Sequence, residues 1–349
     1  MGWGFCPAVK ENVEIMFKDS YGRQITYMRI SVTDRCNLRC IYCMPADGIR
    51  QTTHKEILTF DEIVRIARIG AGKGISRIKI TGGEPLVRKN IAALIRMLKA
   101  VPGIEQVTLT TNGGLLNEQI DSLVKSGLDA VNISLDTVDE TVYKRITRCG
   151  DLAPVLKGIK KACSYPELTV KLNCVPLEEM QDAQILSLVR FASQTGVCVR
   201  FIEMMPVGLG KCCGGRSQVE LRKLLEREYG EAEREEGSFG NGPAVYYRFE
   251  KLKEKVGFIS AVSHQFCDSC NRVRMTAQGY LKTCLQYSTG IDLKSLLRSG
   301  ASDSEIEKAF LKAIAEKPLC HQFADTENTE ENIQGQEMIE QKGMSEIGG

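Results

Sequence analysis

Six apolar runs of strand length, at residues 26–33, 75–81, 104–111, 129–135, 168–175 and 197–204, alternate along this chain with segments of helical period such as Phe60 to Ile69. Strands that alternate with helices pair in parallel, because each helix returns the chain across one face of the sheet before the next strand begins. Eight such units close a barrel in roughly 250 residues, so six in about 190 residues curl into an incomplete one. The expected class is α/β: an incomplete (β/α)6 TIM-like barrel with a C-terminal α+β extension. A flat doubly wound sheet is the alternative.

The two faces of these strands differ in a way that decides what the interior can be. Successive strand residues point to opposite sides. Ile30, Val32, Ile78, Ile80, Leu109, Val131, Ile133, Leu135, Val170 and Leu172 make the apolar side that helices would cover. The other side carries Arg29, Ser31 and Thr33, then Arg77, Lys79 and Thr81, then Thr108 and Thr110. Asn132, Ser134, Asp136, Lys171 and Asn173 continue it. A filled core of such residues would cost about 1–3 kcal/mol for each unpaired polar group, and more for each charge. The interior is therefore expected to be hollow and wet, or filled by a ligand. Arg29, Arg77, Lys79 and Lys171, with Arg200 from the sixth strand, outnumber Asp136 although the whole chain carries only +2. A local cationic lining of this kind suits a small polyanion. Nucleic acid is not an expected partner, since the chain has one Trp and no interleaving of aromatic with basic residues.

Two sets of three cysteines flank this region. Cys36, Cys40 and Cys43 follow the first strand with C-x3-C-x2-C spacing and Tyr42 just before the last; Cys267, Cys270 and Cys284 form C-x2-C-x13-C. Each set is one ligand short of a closed tetrahedral site. Three thiolates can hold three irons of a [4Fe-4S] cluster and leave the fourth open to a small molecule. A structural zinc completed by a distant residue is the other reading, with Cys320 or His321 as the fourth ligand of the second set. Thr81-Gly-Gly-Glu-Pro85 follows the second strand. There the missing side chains would let backbone approach a ligand, and Glu84 could take an ammonium group.

A chain of 349 residues buries enough apolar surface to fold without disulfides. Fourteen cysteines with no apolar leader point to a reducing, cytoplasmic compartment and no membrane association. A homodimer is left open.

The first cysteine run, with an aromatic residue before its last cysteine, resembles the signature of radical S-adenosylmethionine (SAM) enzymes. The resemblance narrows further. Arg29 to Pro45, Lys79 to Leu86, Asn132 to Asp136, Arg200 to Pro206, Cys267 to Arg274 and the terminal Gly348-Gly349 together resemble the GTP 3′,8-cyclases, the radical enzymes that open molybdenum cofactor biosynthesis. The likeness runs from about Asp19 to the last residue.

This resemblance implies two [4Fe-4S] clusters, on Cys36, Cys40 and Cys43 and on Cys267, Cys270 and Cys284, with SAM on the first and guanine on the open iron of the second. It implies SAM contacts at Tyr42, Gly83, Ser134 and Met205. The substrate GTP would meet Arg29, Lys79, Thr110, Lys171, Arg272 and Arg274, with Arg77 and Arg200 adding to the same lining. It further implies a reducing electron donor, a functional link to cyclic pyranopterin monophosphate synthase, and a catalytic part for Gly348 and Gly349 inserted into the site. The expected organisation is an N-terminal extension over 1–18, the partial barrel over 19–215, an auxiliary-cluster and GTP-binding domain over 216–323, and a tail over 324–349. The acidic, polar composition from Asp325 to Glu331 reads as a flexible tether.

Overall fold

The computed structural model describes residues 16–50, 52–237, 239–323 and 339–348. Each apolar run becomes a strand: β1 (Tyr27–Ser31), β2 (Arg77–Thr81), β3 (Gln106–Thr111), β4 (Ala130–Ser134), β5 (Thr169–Cys174) and β6 (Cys198–Ile202). They are joined by α1 (Phe60–Ala71), α2 (Ile91–Lys99), α3 (Leu116–Lys125), the pair α4 (Glu140–Thr147) and α5 (Leu152–Ala162), and α6 (Asp182–Thr195). All six strands pair in parallel in chain order.

Local chemistry starts these helices where the apolar period begins. Thr59 accepts from the Glu62 backbone N–H, and Glu62 returns a carboxylate to Thr59, so α1 opens with a capping box. Its Ile63, Val64, Ile66 and Ala67 then face the sheet and are buried. Asp139 and Asp151 cap α4 and α5 in the simpler way. Beneath the helices lie Met28, Ile30, Ile78, Ile80, Val107, Leu109, Val131, Ile133 and Leu172, all essentially inaccessible.

The C-terminal half extends this sheet at both edges. After α7 (Gln218–Tyr229) come β7 (Ala232–Glu235), β8 (Val245–Phe249) and β9 (Val256–Ile259), with β9 parallel to β6. Next, β10 (Arg272–Met275) runs parallel to β1, and β11 (Tyr280–Lys282) and β12 (Gly290–Asp292) continue outward. The strand order is β12-β11-β10-β1-β2-β3-β4-β5-β6-β9-β8-β7. Residues 260–271, which contain Cys267 and Cys270, therefore cross from one edge of the sheet to the other. Helices α8 (Leu293–Arg298) and α9 (Asp303–Ala315) pack behind this edge, and α10 (Met344–Ile347) ends the described chain. No helix among the described residues is long and apolar enough to cross a membrane.

One buried side chain fastens the N-terminal turn to the crossing segment. Arg23 pairs with Asp19 at 2.6 Å and donates to the carbonyls of Cys267 (2.8 Å), Leu319 (2.7 Å) and Pro318 (2.7 Å). Replacing it by an apolar side chain would leave the fully buried Asp19 carboxylate with the Tyr21 and Arg23 backbone N–H groups but without its counter-charge. Arg23→Met is expected to lose about 3–5 kcal/mol in chemical denaturation, the usual cost of breaking a buried pair from one side. A change under about 1 kcal/mol would place Arg23 with ordinary surface pairs.

Candidate active site

The first cysteine set lies in the loop leaving β1. That loop is pinned to the end of α4 by Arg39 N–H on Thr147 O (3.1 Å) and Ile41 N–H on Ile146 O (3.0 Å). Cys36, Cys40 and Cys43 are half-buried, reduced, and all face one cavity of ≈ 600 Å³. Burial pushes the Cys43 thiol up to about 12 and the Cys40 thiol well above its usual range, and neighbouring thiols add to it. Loading a metal cluster here must therefore displace protons that these sulfurs hold firmly. N–H donors already point at them: Leu38 N–H and the Asn112 amide at Cys36, and Ser345 N–H at Cys43. Three convergent thiols with sulfur-directed donors and an open cavity beside them fit a cluster with one free position.

The two glycines after β2 do something more specific than the sequence suggests. A Cβ on Gly83 would stand 2.5 Å from the carbonyl oxygens of both Asp34 and Arg35, and one on Gly82 would stand 2.6 Å from Thr33 O. Their bareness lets β2 exit directly against the cysteine loop, where Gly83 N–H donates to Thr33 O at 2.7 Å. Glu84 is likewise engaged by protein. Its carboxylate accepts from Leu86 N–H (3.0 Å), Asn112 N–H (2.6 Å) and the Thr111 hydroxyl (2.7 Å), and burial still raises it to about 7.

Cys267, Cys270 and Cys284 line the same cavity. Burial raises Cys267, while the nearby Lys317 ammonium and Arg272 guanidinium outweigh burial at Cys270 and lower it. Lys317 is buried and pairs with no carboxylate among the described residues; it donates to the carbonyls of Arg272 and Thr283. Its charge is therefore answered from the cysteine side. Cys320 lies near enough to Cys267 to be felt electrostatically. Among the described residues no three His, Cys, Asp or Glu side chains are drawn together to hold a single metal ion.

Between the two cysteine sets the inner strand face is polar and strongly cationic. Eight Lys and Arg side chains line the cavity against three Asp and Glu. Pairing register puts Arg274, Arg29 and Lys79 side by side on β10, β1 and β2. Burial, then Arg29, Arg200 and Lys171, push Lys79 well below its usual value, and burial with Arg29 and Arg272 brings Arg274 to about 9. Arg200 is held by neutral amide oxygens, Asn173 at 2.6 Å and Asn132 at 2.7 Å. Lys171 donates to the carbonyl of Phe239, in a loop that lines the cavity through Gly242 and Pro243.

The structure brings Arg29, Tyr42, Lys79, Gly83, Thr110, Ser134, Lys171, Arg200, Met205, Arg272 and Arg274 to this one cavity. It does not bring Arg77, which is the first residue of β2, level with Gln106 and Tyr27, and is not among the lining residues. The carbonyl of Gly348 accepts from Arg274 at 3.0 Å; Gly349 and the proposed tether over 324–338 lie outside the described residues. Sequence reasoning missed Asn112, Lys317 and Arg23, none of which falls on the inward parity of β1–β6.

Asp136 closes the β4 end of the site. Its carboxylate accepts from the Tyr42 hydroxyl (2.7 Å) and Val175 N–H (2.8 Å), and burial raises it to about 6. Between about pH 4 and pH 6 the folded chain keeps a proton that the unfolded chain has lost, so this residue costs stability as pH rises through that window. Asp136→Asn, which never ionises, should gain on the order of 2–3 kcal/mol relative to the parent between pH 4 and pH 8, measured by urea denaturation at matched cluster content. A difference independent of pH would show that the carboxylate is not desolvated.

Residues 30–192 match the Radical SAM superfamily, and residues 197–323 match the Molybdenum Cofactor Synthesis C family. A GTP 3′,8-cyclase of Clostridium perfringens is 42% identical over 332 residues, covering 95% of this chain and 100% of that one. One from Moorella thermoacetica is 44% identical over 306 residues, covering 87% and 94%. Among solved structures, Streptococcus suis SuiB bound to S-adenosylmethionine is similar in fold, with a TM-score of 0.61 at 17% identity over 84% of this chain and 66% of that one. The chain belongs to the GTP 3′,8-cyclase family of the radical SAM superfamily, whose members carry a [4Fe-4S] cluster and bind SAM.

Proposed function

We propose that this chain converts GTP to 3′,8-cyclo-7,8-dihydro-GTP. The observation that carries the proposal is the single cavity lined at one end by Cys36, Cys40 and Cys43, at the other by Cys267, Cys270 and Cys284, and by cations between them. Cys36, Cys40 and Cys43 would hold a [4Fe-4S] cluster, which would supply the electron for reductive cleavage of SAM and so the 5′-deoxyadenosyl radical that hydrogen abstraction from C3′ of GTP requires. Bond formation from C3′ to C8, with one further electron and a proton, completes the product.

The protein's share of this reaction is positioning. Tyr42, Gly83, Ser134 and Met205, which line the cavity with Cys36, Cys40 and Cys43, would hold SAM. Arg29, Lys79, Lys171 and Arg200 neutralise the triphosphate, and guanidinium groups suit it through their planar forks. Lys79 gains most, because an anion removes the repulsion and part of the desolvation that now depress it. Arg272 and Arg274, two apart on β10, face the nucleotide together, and Cys267, Cys270 and Cys284 would hold a second [4Fe-4S] cluster that would supply a site for the guanine base. Holding C3′ close to the radical source while excluding water is the main catalytic contribution. A reductant and the synthase that converts the product to cyclic pyranopterin monophosphate are the partners this chemistry requires. A radical enzyme acting on peptides would want a site open to an extended chain, and this cavity is lined for an anion.

Reconstituted without oxygen and given dithionite, SAM and GTP, the protein should yield 5′-deoxyadenosine and the cyclised nucleotide together by mass spectrometry. 5′-Deoxyadenosine with no nucleotide product would overturn the substrate. Removing Gly348 and Gly349 should abolish cyclisation at unchanged iron and sulfide content; full activity in that truncation would exclude the tail from the reaction.

A further inference from the structure

The last described residues are held at both ends by neighbouring cations on one rung of the sheet. Lys282 on β11 is the cross-strand partner of Arg274 on β10. Arg274 donates to the carbonyl of Gly348, and Lys282 pairs with the carboxylate of Glu340, eight positions earlier. Lys282 is 1% exposed and also donates to Tyr287 O at 2.6 Å. Glu340 is buried too, and its second carboxylate oxygen accepts from Lys342 N–H at 3.0 Å.

Between these two grips the chain has little freedom. Ile339 bridges to Tyr287, and Glu340 N–H donates to Gln286 O at 2.6 Å. Ile347 then fills an apolar pocket made by Val207, Leu285 and Phe323, apart from the main core, and Ser345 N–H reaches Cys43. A buried ion pair is poor evidence for stability, because apolar residues of the same size usually do as well. What it supplies is one defined alignment, since sliding the tail by a residue would leave a buried ammonium without its counter-charge.

We propose that Glu340 is a positioning residue: its pairing with Lys282 sets the register of the tail, so that the Gly348 carbonyl lands on Arg274 and the chain end is delivered to the cavity. The part of this claim that concerns catalysis rests on the cyclase reading above; the part that concerns tail position does not. Glu340→Gln keeps size and shape, removes only the charge, and lies on the tail, so the barrel has no reason to unfold.

The test has two readouts. Hydrogen exchange at residues 343–347 should be at least about tenfold faster in Glu340→Gln than in the parent, with exchange in β1–β6 unchanged. Cyclised nucleotide formed per 5′-deoxyadenosine released should fall by about tenfold or more at unchanged iron content, because a loose tail uncouples radical formation from product. The charge-swapped pair, Lys282→Glu with Glu340→Lys, should recover tail protection that either single charge reversal loses. Unchanged exchange in Glu340→Gln overturns the anchor, and a loosened tail with full coupling overturns its part in the reaction. If the parent itself yields no cyclised nucleotide, the functional reading has failed and the exchange experiment still decides the anchor.

Discussion

Arg274, Arg29 and Lys79 stand in register on three adjacent strands, and cations set side by side on a sheet both repel one another and resist burial. Everything about the interior follows from that arrangement. The face that bears them cannot become a packed barrel core, so the sheet curves around a cavity while its other face carries the apolar burden under the helices. Amide oxygens of Asn132 and Asn173 steady Arg200 without cancelling its charge. A surplus of cations over carboxylates along the described lining is the sense in which the site is preorganised for an anion.

The same logic extends to the two cysteine sets. The first lies where burial and neighbouring thiols oppose thiolate formation, beside Asp136 and Glu84, two carboxyls that burial also holds toward their neutral forms. The second lies among cations, with Lys317 and Arg272 favouring the thiolate of Cys270. Clusters in these two places would sit in different electrostatic surroundings, one beside two buried carboxyls and one beside Lys317 and Arg272, and nearby charge is among the levers that set a cluster's potential. The tail links the two ends, touching Cys43 through Ser345 and Arg274 through Gly348.

Much of this was legible in the sequence because a strand's period of two is rigid. Parity alone assigned Arg29, Lys79, Lys171 and Arg200 to the inside, and cysteine spacing alone picked out the two sets of three cysteines that line the same cavity. Parity says which face a residue takes but not how deep it lies, and Arg77, at the very start of β2, shares the face of Lys79 without reaching the cavity. The glycines at 82 and 83 were readable as a place of close approach, yet what approaches is the cysteine loop's own backbone. Arg23, Lys317 and Glu340 gave no local signal. Arg23 and Glu340 act across 244 and 58 residues of chain, and Lys317 across 45. Such contacts exist only once the sheet order has brought β10 beside β1, with β11 on its outer side.

The measurement that bears most directly on this account is Mössbauer spectroscopy, with sulfide analysis, on iron-enriched protein reconstituted without oxygen and examined alone, with SAM and with GTP. Two [4Fe-4S] clusters per chain are predicted, with SAM altering one iron site of the first and GTP altering one iron site of the second. A single cluster, or zinc bound at Cys267, Cys270 and Cys284, would contradict it.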